Sequence, residues 1–157
     1  MGMKRIIIYG LILFSINSFA GVPSLSRVRS LFEQANMQKS SCIKLISLLE
    51  PYDEINFPVL MGYKACGTIM MARHVSNPFS KLLYFRKGKK MLEAVIELND
   101  KVVELRFLRY AIQTNAPSFL GYNNHIAEDK MFLKKAVPFL SDIVLRDKID
   151  AYLKKYH

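Results

Sequence analysis

The chain has 157 residues and is basic, with 23 lysines and arginines against 13 aspartates and glutamates and a formal net charge of +10. A chain of this length forms one domain whose core is large enough to fold without disulfides or metals. The only dense basic run, at 86–90, is short and is accompanied by no nucleic-acid-binding motif, which argues against a nucleic-acid partner. Such charge is typical of a solvated surface, with weak attraction to anionic lipid head groups or cell-wall polymers as the alternative.

The first twenty residues have the pattern of a secretory signal peptide. Lys4 and Arg5 form a basic start, an apolar run of eleven residues follows, and Ser18 and Ala20 supply the small residues that a signal peptidase recognises. Cleavage before Gly21 leaves 137 residues and lowers the net charge to +8, because Lys4 and Arg5 are removed. The apolar run is shorter than the roughly 20 residues of a membrane-spanning helix, and no later segment is long enough. We expect an exported protein, periplasmic or extracellular, with a retained N-terminal anchor as the alternative.

Helical periodicity covers almost the whole mature chain. Apolar residues recur at helical spacing in seven segments, and neither an Asn-Gly or Asp-Gly turn nor lasting period-2 alternation indicates a strand pair. We predict a single all-α domain over residues 21–157, with about six to seven helices packed as antiparallel hairpins. Short polar side chains precede most segments as candidate caps. The predicted N-caps are Ser24 or Ser26, Ser40 or Ser41, Asn56, Asn77, Asn123 or Asn124, and Ser141 or Asp142.

The most apolar helix is predicted at 101–113, and its composition indicates packing on several sides. Its polar residues Arg106, Arg109 and Gln113 are spaced three and four apart, so they share one stripe. Two interpretations stay open: the arginines join neighbouring helices through carboxylates, or the stripe lines a groove that binds an acidic ligand. The acidic residues considered as partners are Glu93, Glu97 and Asp129. Glu104 lies in the apolar part of the same helix, where an unpaired charge is costly, so we predict that it pairs with an arginine or a helix end.

One part of the chain has a recognisable pattern. The segment KGKKMLEAVIELND and the following VVELRFLRYAIQ resemble, over residues 88–113, the second helix of one tetratricopeptide repeat running into the first helix of the next. Asp100 stands where that family has a proline, and no regular 34-residue period is found elsewhere. The resemblance implies an array of helical hairpins with a concave binding surface and no catalysis. The positions that match are Gly88, Leu92, Val95, Leu98 and Asn99.

The two cysteines are predicted to form a disulfide. Cys42 and Cys66 lie at nearly the same distance from the PYDEIN loop, hence at similar heights on two antiparallel helices, and an exported protein meets an oxidising compartment. Two buried free thiols are the alternative. The three histidines have no HExxH or CxxC companion. We therefore expect neither a metal nor a cofactor.

These observations favour a non-enzymatic helical binding or scaffold protein of the bacterial cell envelope. Its expected partner is a protein or peptide held in a groove between hairpins. The alternative is a small-ligand carrier or enzyme in which Arg106 and Arg109 hold a carboxylate or phosphate between helices. A shallow open groove favours the first function, whereas a deep pocket that contains both arginines favours the second.

Overall fold

The computed structural model describes residues 21–156; the predicted signal peptide lies outside the described residues. Over this range the chain forms seven α-helices and no strand, so the predicted all-α fold is confirmed. None of these helices is both long and apolar enough to cross a membrane. Short 3-10 turns lie at Ser118–Leu120 and Val137–Phe139. The helices are α1 (Leu25–Ala35), α2 (Lys39–Leu48), α3 (Pro58–His74), α4 (Pro78–Leu98), α5 (Val103–Asn115), α6 (Ile126–Ala136) and α7 (Ile143–Lys155).

Three of the predicted N-caps are present. Ser24 accepts a hydrogen bond from a backbone N–H of α1, and Asn77 and Asp142 do the same for α4 and α7. The cap predicted at Asn56 is wrong, because this residue lies in a turn where Asp53 Oδ1 accepts its backbone N–H at 2.9 Å. The caps predicted for α2 and α6 are wrong as well. The residues that precede α2, α3 and α6 are Gln38, Phe57 and His125, and none of them makes a side-chain cap hydrogen bond.

Helices α3 and α4 form a closely packed antiparallel pair. A Cβ at Gly88 would lie 2.6 Å from the backbone oxygen of Ala65, so the two helix backbones approach each other at this point. These two residues lie almost equally far from the connection at 75–77, as an antiparallel pair requires. Among the positions that match the repeat pattern, Leu92 is buried, as Gly88 is, whereas Leu98 is 66% exposed.

The predicted central helix is confirmed as α5. Nine of its 13 residues are buried. Leu105 and Leu108 belong to an apolar cluster formed mainly with α1–α4, whereas Phe107 and Tyr110 belong to a second cluster formed with α6 and α7. One helix therefore supplies core residues to both sides of the molecule.

The predicted disulfide is absent, and both cysteines are buried free thiols. Cys42 donates to the backbone oxygen of Gly67 at 3.0 Å, so Gly67 is the position of α3 that faces α2. Cys66 is four residues after Gly62, whose missing Cβ would meet Leu105 and Leu108 of α5. Residues four apart share a helix face. The Cys66 side chain therefore belongs to the α5-facing side of α3, about 100° from the face that meets Cys42.

Candidate functional site

The polar stripe of α5 lies inside the molecule. Arg109 is 4% exposed, and its guanidinium group is held by carboxylates of two other helices. Its Nε and Nη2 donate to the two oxygens of Asp129 on α6 at 2.7 and 2.8 Å, and its Nη1 donates to Glu93 on α4 at 2.9 Å. Arg109 thus joins α4, α5 and α6.

Arg106 occupies the adjacent turn and shares the same acidic partner. Its Nε donates to Asp129, and its Nη2 donates to Glu128 at 2.5 Å. Asp129 is completely buried and accepts N–H groups from both arginines. Two buried guanidinium groups around one buried carboxylate would be costly without further carboxylates. Glu93 and Glu128 supply them at the rim of the cluster.

The third residue of the stripe, Gln113, is 2% exposed and acts on the polypeptide backbone. Its Oε1 accepts the backbone N–H of His125 at 3.1 Å, at the start of α6. The His125 ring in turn contacts Glu128, with 2.9 Å between Nδ1 and Oε2. Gln113 Nε2 has no hydrogen-bond partner among the described residues. Gln113 therefore positions the N-terminus of the helix that carries Asp129.

Two carboxylates of this site have a further partner: Glu93 accepts a hydrogen bond from a tyrosine, and Glu128 contacts a histidine. Tyr122 donates its phenol proton to Glu93, the second partner of Arg109. Burial raises the pKa of Tyr122, and the hydrogen bond to Glu93 raises it further. The pKa of Glu128 is lowered, chiefly by its hydrogen bond to His125 and then by the nearby arginines. Burial alone would lower the pKa of Arg109, but its hydrogen bonds to Asp129 and Glu93 outweigh that effect and raise it.

A second buried ion cluster lies at the start of α5, on the side of the helix opposite Arg106. Glu104 accepts two hydrogen bonds from Arg29 of α1, at 2.7 and 2.8 Å, and one from the phenol of Tyr63 at 2.6 Å. Arg29 Nη1 also donates to Asp142, the N-cap of α7, at 2.8 Å. The prediction that Glu104 pairs with an arginine is confirmed. The hydrogen bond from Arg29 to Glu104 is the main reason that the pKa of Arg29 is raised.

An open cleft of about 340 Å³ lies in front of the stripe, between α4, α5 and the start of α6. Its lining contains four carboxylates but only two guanidinium groups, and both guanidinium groups are already bound to carboxylates. The cleft therefore favours a cationic group over an anionic one. The cleft is lined by Glu93, Ile96, Glu97, Asp100, Arg106, Arg109, His125 and Glu128.

No family model, curated protein or solved structure matches this chain. Within residues 21–156, no group of three or more His, Cys, Asp or Glu side chains has an arrangement that could hold a metal ion. His74 Nε2 lies 2.7 Å from the backbone oxygen of Ala35 and connects the end of α3 to α1.

The structure brings the three predicted stripe residues together and identifies their contacts. Of the three predicted partners of the arginines, Glu93 and Asp129 contact Arg109. Glu97 makes no ion pair among residues 21–156. Glu128 and Tyr122 complete the cluster and were not predicted. The contacts correspond to the interpretation in which the arginines join neighbouring helices. A ligand-binding role for the stripe stays a prediction.

Proposed function

We propose that the protein is an exported, non-enzymatic binding or scaffold protein of the bacterial cell envelope, with a protein or peptide partner. The main support is that the buried arginines of α5 bind the protein's own carboxylates. Arg106 and Arg109, which the sequence offers as a possible anion site, bind carboxylates of α4 and α6. This arrangement fixes three helices relative to one another. A fixed set of helices that borders an open cleft is suited to presenting a surface to a partner.

The alternative, in which Arg106 and Arg109 hold a small anionic ligand, is less well supported. Arg109 directs Nε and both Nη atoms to carboxylate oxygens. An incoming carboxylate or phosphate would have to displace Asp129 or Glu93, and a displaced Asp129 would leave a carboxylate in a fully buried position. The surrounding carboxylates would also repel the anion.

The partner expected for the cleft is a segment that presents a lysine, arginine or free amino group. Four carboxylates line the cleft, and two of them, Glu97 and Asp100, make no ion pair within the described residues. Both are exposed. A basic side chain can reach them without removing any charge from the buried cluster.

Site-specific photocrosslinking in the producing cells tests this proposal. A photoreactive residue at Glu97, in the cleft, is compared with the same residue at Glu54, an exposed acid in the loop before α3. The two substitutions change the net charge equally. We expect a discrete protein adduct from position 97 that is reduced by excess lysine-rich peptide and is absent from position 54. Equal adducts from both positions, or none from position 97, would contradict the proposal.

A ligand titration distinguishes the alternative function. Inorganic phosphate and succinate are added to the purified protein at constant ionic strength, and the melting temperature is measured. The binding proposal expects no ion-specific stabilisation. A saturable rise in melting temperature that is lost in the Arg106→Lys variant would instead support an anion site, because lysine keeps the charge but lacks the planar fork of donors.

Export is tested separately. N-terminal sequencing of the protein from the periplasmic and secreted fractions should begin at Gly21, as the signal pattern predicts. Protein that begins at Met1 and remains with membranes would support the retained anchor instead.

A further inference from the structure

The first half of α4 carries large apolar side chains that are not buried in the core. Phe79 is 85% exposed, Leu83 is 68% exposed and Leu82 is 36% exposed, and all three lie in the first two turns of α4. Phe85 and Leu92 are buried and face the interior. At 100° per residue, Phe79 and Leu83 lie on the side of the helix opposite Leu92. Large apolar side chains are therefore exposed on one face.

Cations follow these apolar residues on the same face. Arg86 and Lys90 come seven and eleven residues after Phe79, which places them within about 20° of it around the helix axis. Lys87 lies beside them, and all three cations are exposed. Residues 78–90 contain five lysines and arginines and no acidic residue. We call this surface the α4 outer face, and its members are Phe79, Leu82, Leu83, Arg86, Lys87 and Lys90.

The cations of the α4 outer face have no carboxylate partner within the described chain. None of them takes part in an ion pair among residues 21–156. The hydrogen bond from Lys64 is the largest of the influences that lower the pKa of Glu50, and Lys87 is the smallest. Their charge is therefore available to an external anionic surface.

We propose that the α4 outer face docks the protein onto a lipid bilayer that contains anionic head groups. Interfacial helices place Phe and Leu side chains about 5–10 Å into the boundary between head groups and acyl chains, while lysines and arginines remain near the phosphates. Phe79 and Lys90 are separated by about 16 Å along the helix axis. A tilted α4 therefore inserts its first turns and keeps its cations at the level of the head groups.

A bilayer fits this surface better than an acidic protein does. An acidic protein would need a pocket complementary to Phe79 and Leu83, whereas a fluid bilayer accepts apolar side chains of any shape. These residues project from a helix end and line neither the cleft in front of α5 nor the second cleft between α6 and α7. This surface is distinct from the proposed partner site, so the two proposals can fail independently.

Tryptophan fluorescence tests insertion directly, because the chain contains no tryptophan. The Phe79→Trp variant is compared with Phe119→Trp, since both phenylalanines are 85% exposed. The probes are vesicles of phosphatidylglycerol and phosphatidylethanolamine, and vesicles of phosphatidylcholine alone. We expect a blue shift, and quenching by brominated acyl chains, for the Phe79→Trp variant on the anionic vesicles only, and no change for the control. No shift in the Phe79→Trp variant, or an equal shift in both variants, would overturn the proposal.

Vesicle cosedimentation tests the role of charge. Removing Arg86, Lys87 and Lys90 together by substitution with glutamine should lower the partition coefficient on anionic vesicles on the order of 100-fold, at about fivefold per cation. The same loss of charge elsewhere is the control. An equal loss of binding in the control would reduce the effect to overall charge and overturn the proposal.

The control replaces Lys44, Lys101 and Lys135 by glutamine; all three are exposed and lie outside α4. Phe79→Ser should lower binding by at least about tenfold through the loss of buried aromatic surface. All of these positions are exposed, so circular dichroism and the melting temperature should stay close to those of the parent. If Phe79→Ser abolishes capture of an acidic protein while the parent does not bind vesicles, the surface is a protein site and the lipid proposal is wrong.

Discussion

At the scale of single residues, position 109 requires an arginine because its side chain binds two carboxylates at once. Two of its N–H groups face the two oxygens of Asp129, and a third faces Glu93. This bidentate contact requires a planar guanidinium group, whereas a lysine would offer one point charge. The geometry therefore explains why this position of an otherwise apolar helix carries an arginine.

Arg109→Met tests the structural role of this residue. Methionine keeps the apolar stem, but Asp129 then loses two of its donors while remaining fully buried. We expect a loss of about 3–5 kcal/mol in the free energy of unfolding, measured by urea denaturation followed by circular dichroism. Arg146→Met is the control, because Arg146 pairs with the exposed Asp147 and surface pairs contribute little. Unchanged stability of Arg109→Met would show that the cluster does not hold the helices together.

The two thiols provide a test at the same scale. Burial raises the pKa of Cys42 to about 11 and raises that of Cys66 as well. Alkylation requires the thiolate and access of the reagent, so the native protein should react slowly near neutral pH. Unfolded without reductant, the protein should incorporate two labels, as mass spectrometry would show. If neither cysteine is labelled in the unfolded, unreduced protein, the result would instead support the predicted disulfide.

The sequence predicts which polar residues of α5 share a face, but it does not predict their partners from distant parts of the chain. The spacing of Arg106, Arg109 and Gln113 identifies a common stripe, because helix geometry is local. The partner of Glu104 was predicted only as a residue type, since Arg29 lies 75 positions earlier in the chain. No local pattern places two such residues together. The same limit explains the cysteines: their height on the helices follows from counting residues, but the direction of each side chain depends on packing, which turns Cys42 toward α3 and Cys66 toward α5.

At the scale of helices, glycines mark the places where α3 meets its neighbours. A Cβ at Gly88 would lie 2.6 Å from the oxygen of Ala65 and 2.7 Å from the backbone nitrogen of Ile69. Backbone atoms inside a helix cannot move aside readily. At Gly67 the nearest atoms are side-chain carbons of Leu45 and Ile46, at 3.1 and 3.3 Å. These can shift by a few tenths of an ångström.

Alanine substitutions should therefore separate the two positions. We expect Gly88→Ala to destabilise the protein by about 1–3 kcal/mol through overpacking between α3 and α4. Gly67→Ala should be close to neutral, because alanine is favoured over glycine by about 1 kcal/mol inside a helix and the neighbouring side chains can adjust. Thermal and urea unfolding of both variants measures the difference. A Gly88→Ala protein as stable as the parent would mean that α3 and α4 can separate at little cost.

The helix ends show what local sequence determines. Asn77 followed by proline caps α4 as predicted, because the side chain has no competing local partner. Asn56 has the same side chain, but it lies three residues after Asp53, and that aspartate captures its backbone N–H in a turn. The exposure of Phe79 was not predicted either. Hydrophobic periodicity shows which residues share a face, but it does not show that a neighbouring helix covers that face.

At the scale of the whole molecule, the two ion clusters connect α5 to helices that come before it and after it in the chain. Arg29 joins α1 to α5 and α7, while Arg109 joins α5 to α4 and α6. Both apolar clusters include residues of α5. Loss of α5 would therefore expose both apolar clusters and the buried charged residues together. We expect the two sides of the molecule to unfold in one cooperative transition rather than separately.

This connectivity should make the protein sensitive to alkaline pH. Tyr63 and Tyr122 are buried and donate to Glu104 and Glu93. Burial and the adjacent carboxylates raise the pKa of both phenols. The unfolded chain releases these protons near pH ~10 and its thiol protons from about pH 8.5, whereas the folded chain retains them. The folded state then binds more protons than the unfolded state, so the free energy of unfolding must fall as pH rises.

The contribution is complete below about pH 8 and is lost progressively at higher pH. Urea unfolding at about pH 7, 9 and 10.5 and constant ionic strength measures it. Tyr63→Phe should be less stable than the parent near neutral pH, because Glu104 loses a donor, but its stability should fall less steeply with pH, because one proton fewer distinguishes the two states. Tyr52→Phe is the control, since Tyr52 makes no side-chain hydrogen bond within the described chain and should keep the parent slope. A stability that stays constant to about pH 11 would contradict the raised pKa of these phenols and the tightly closed core from which it follows.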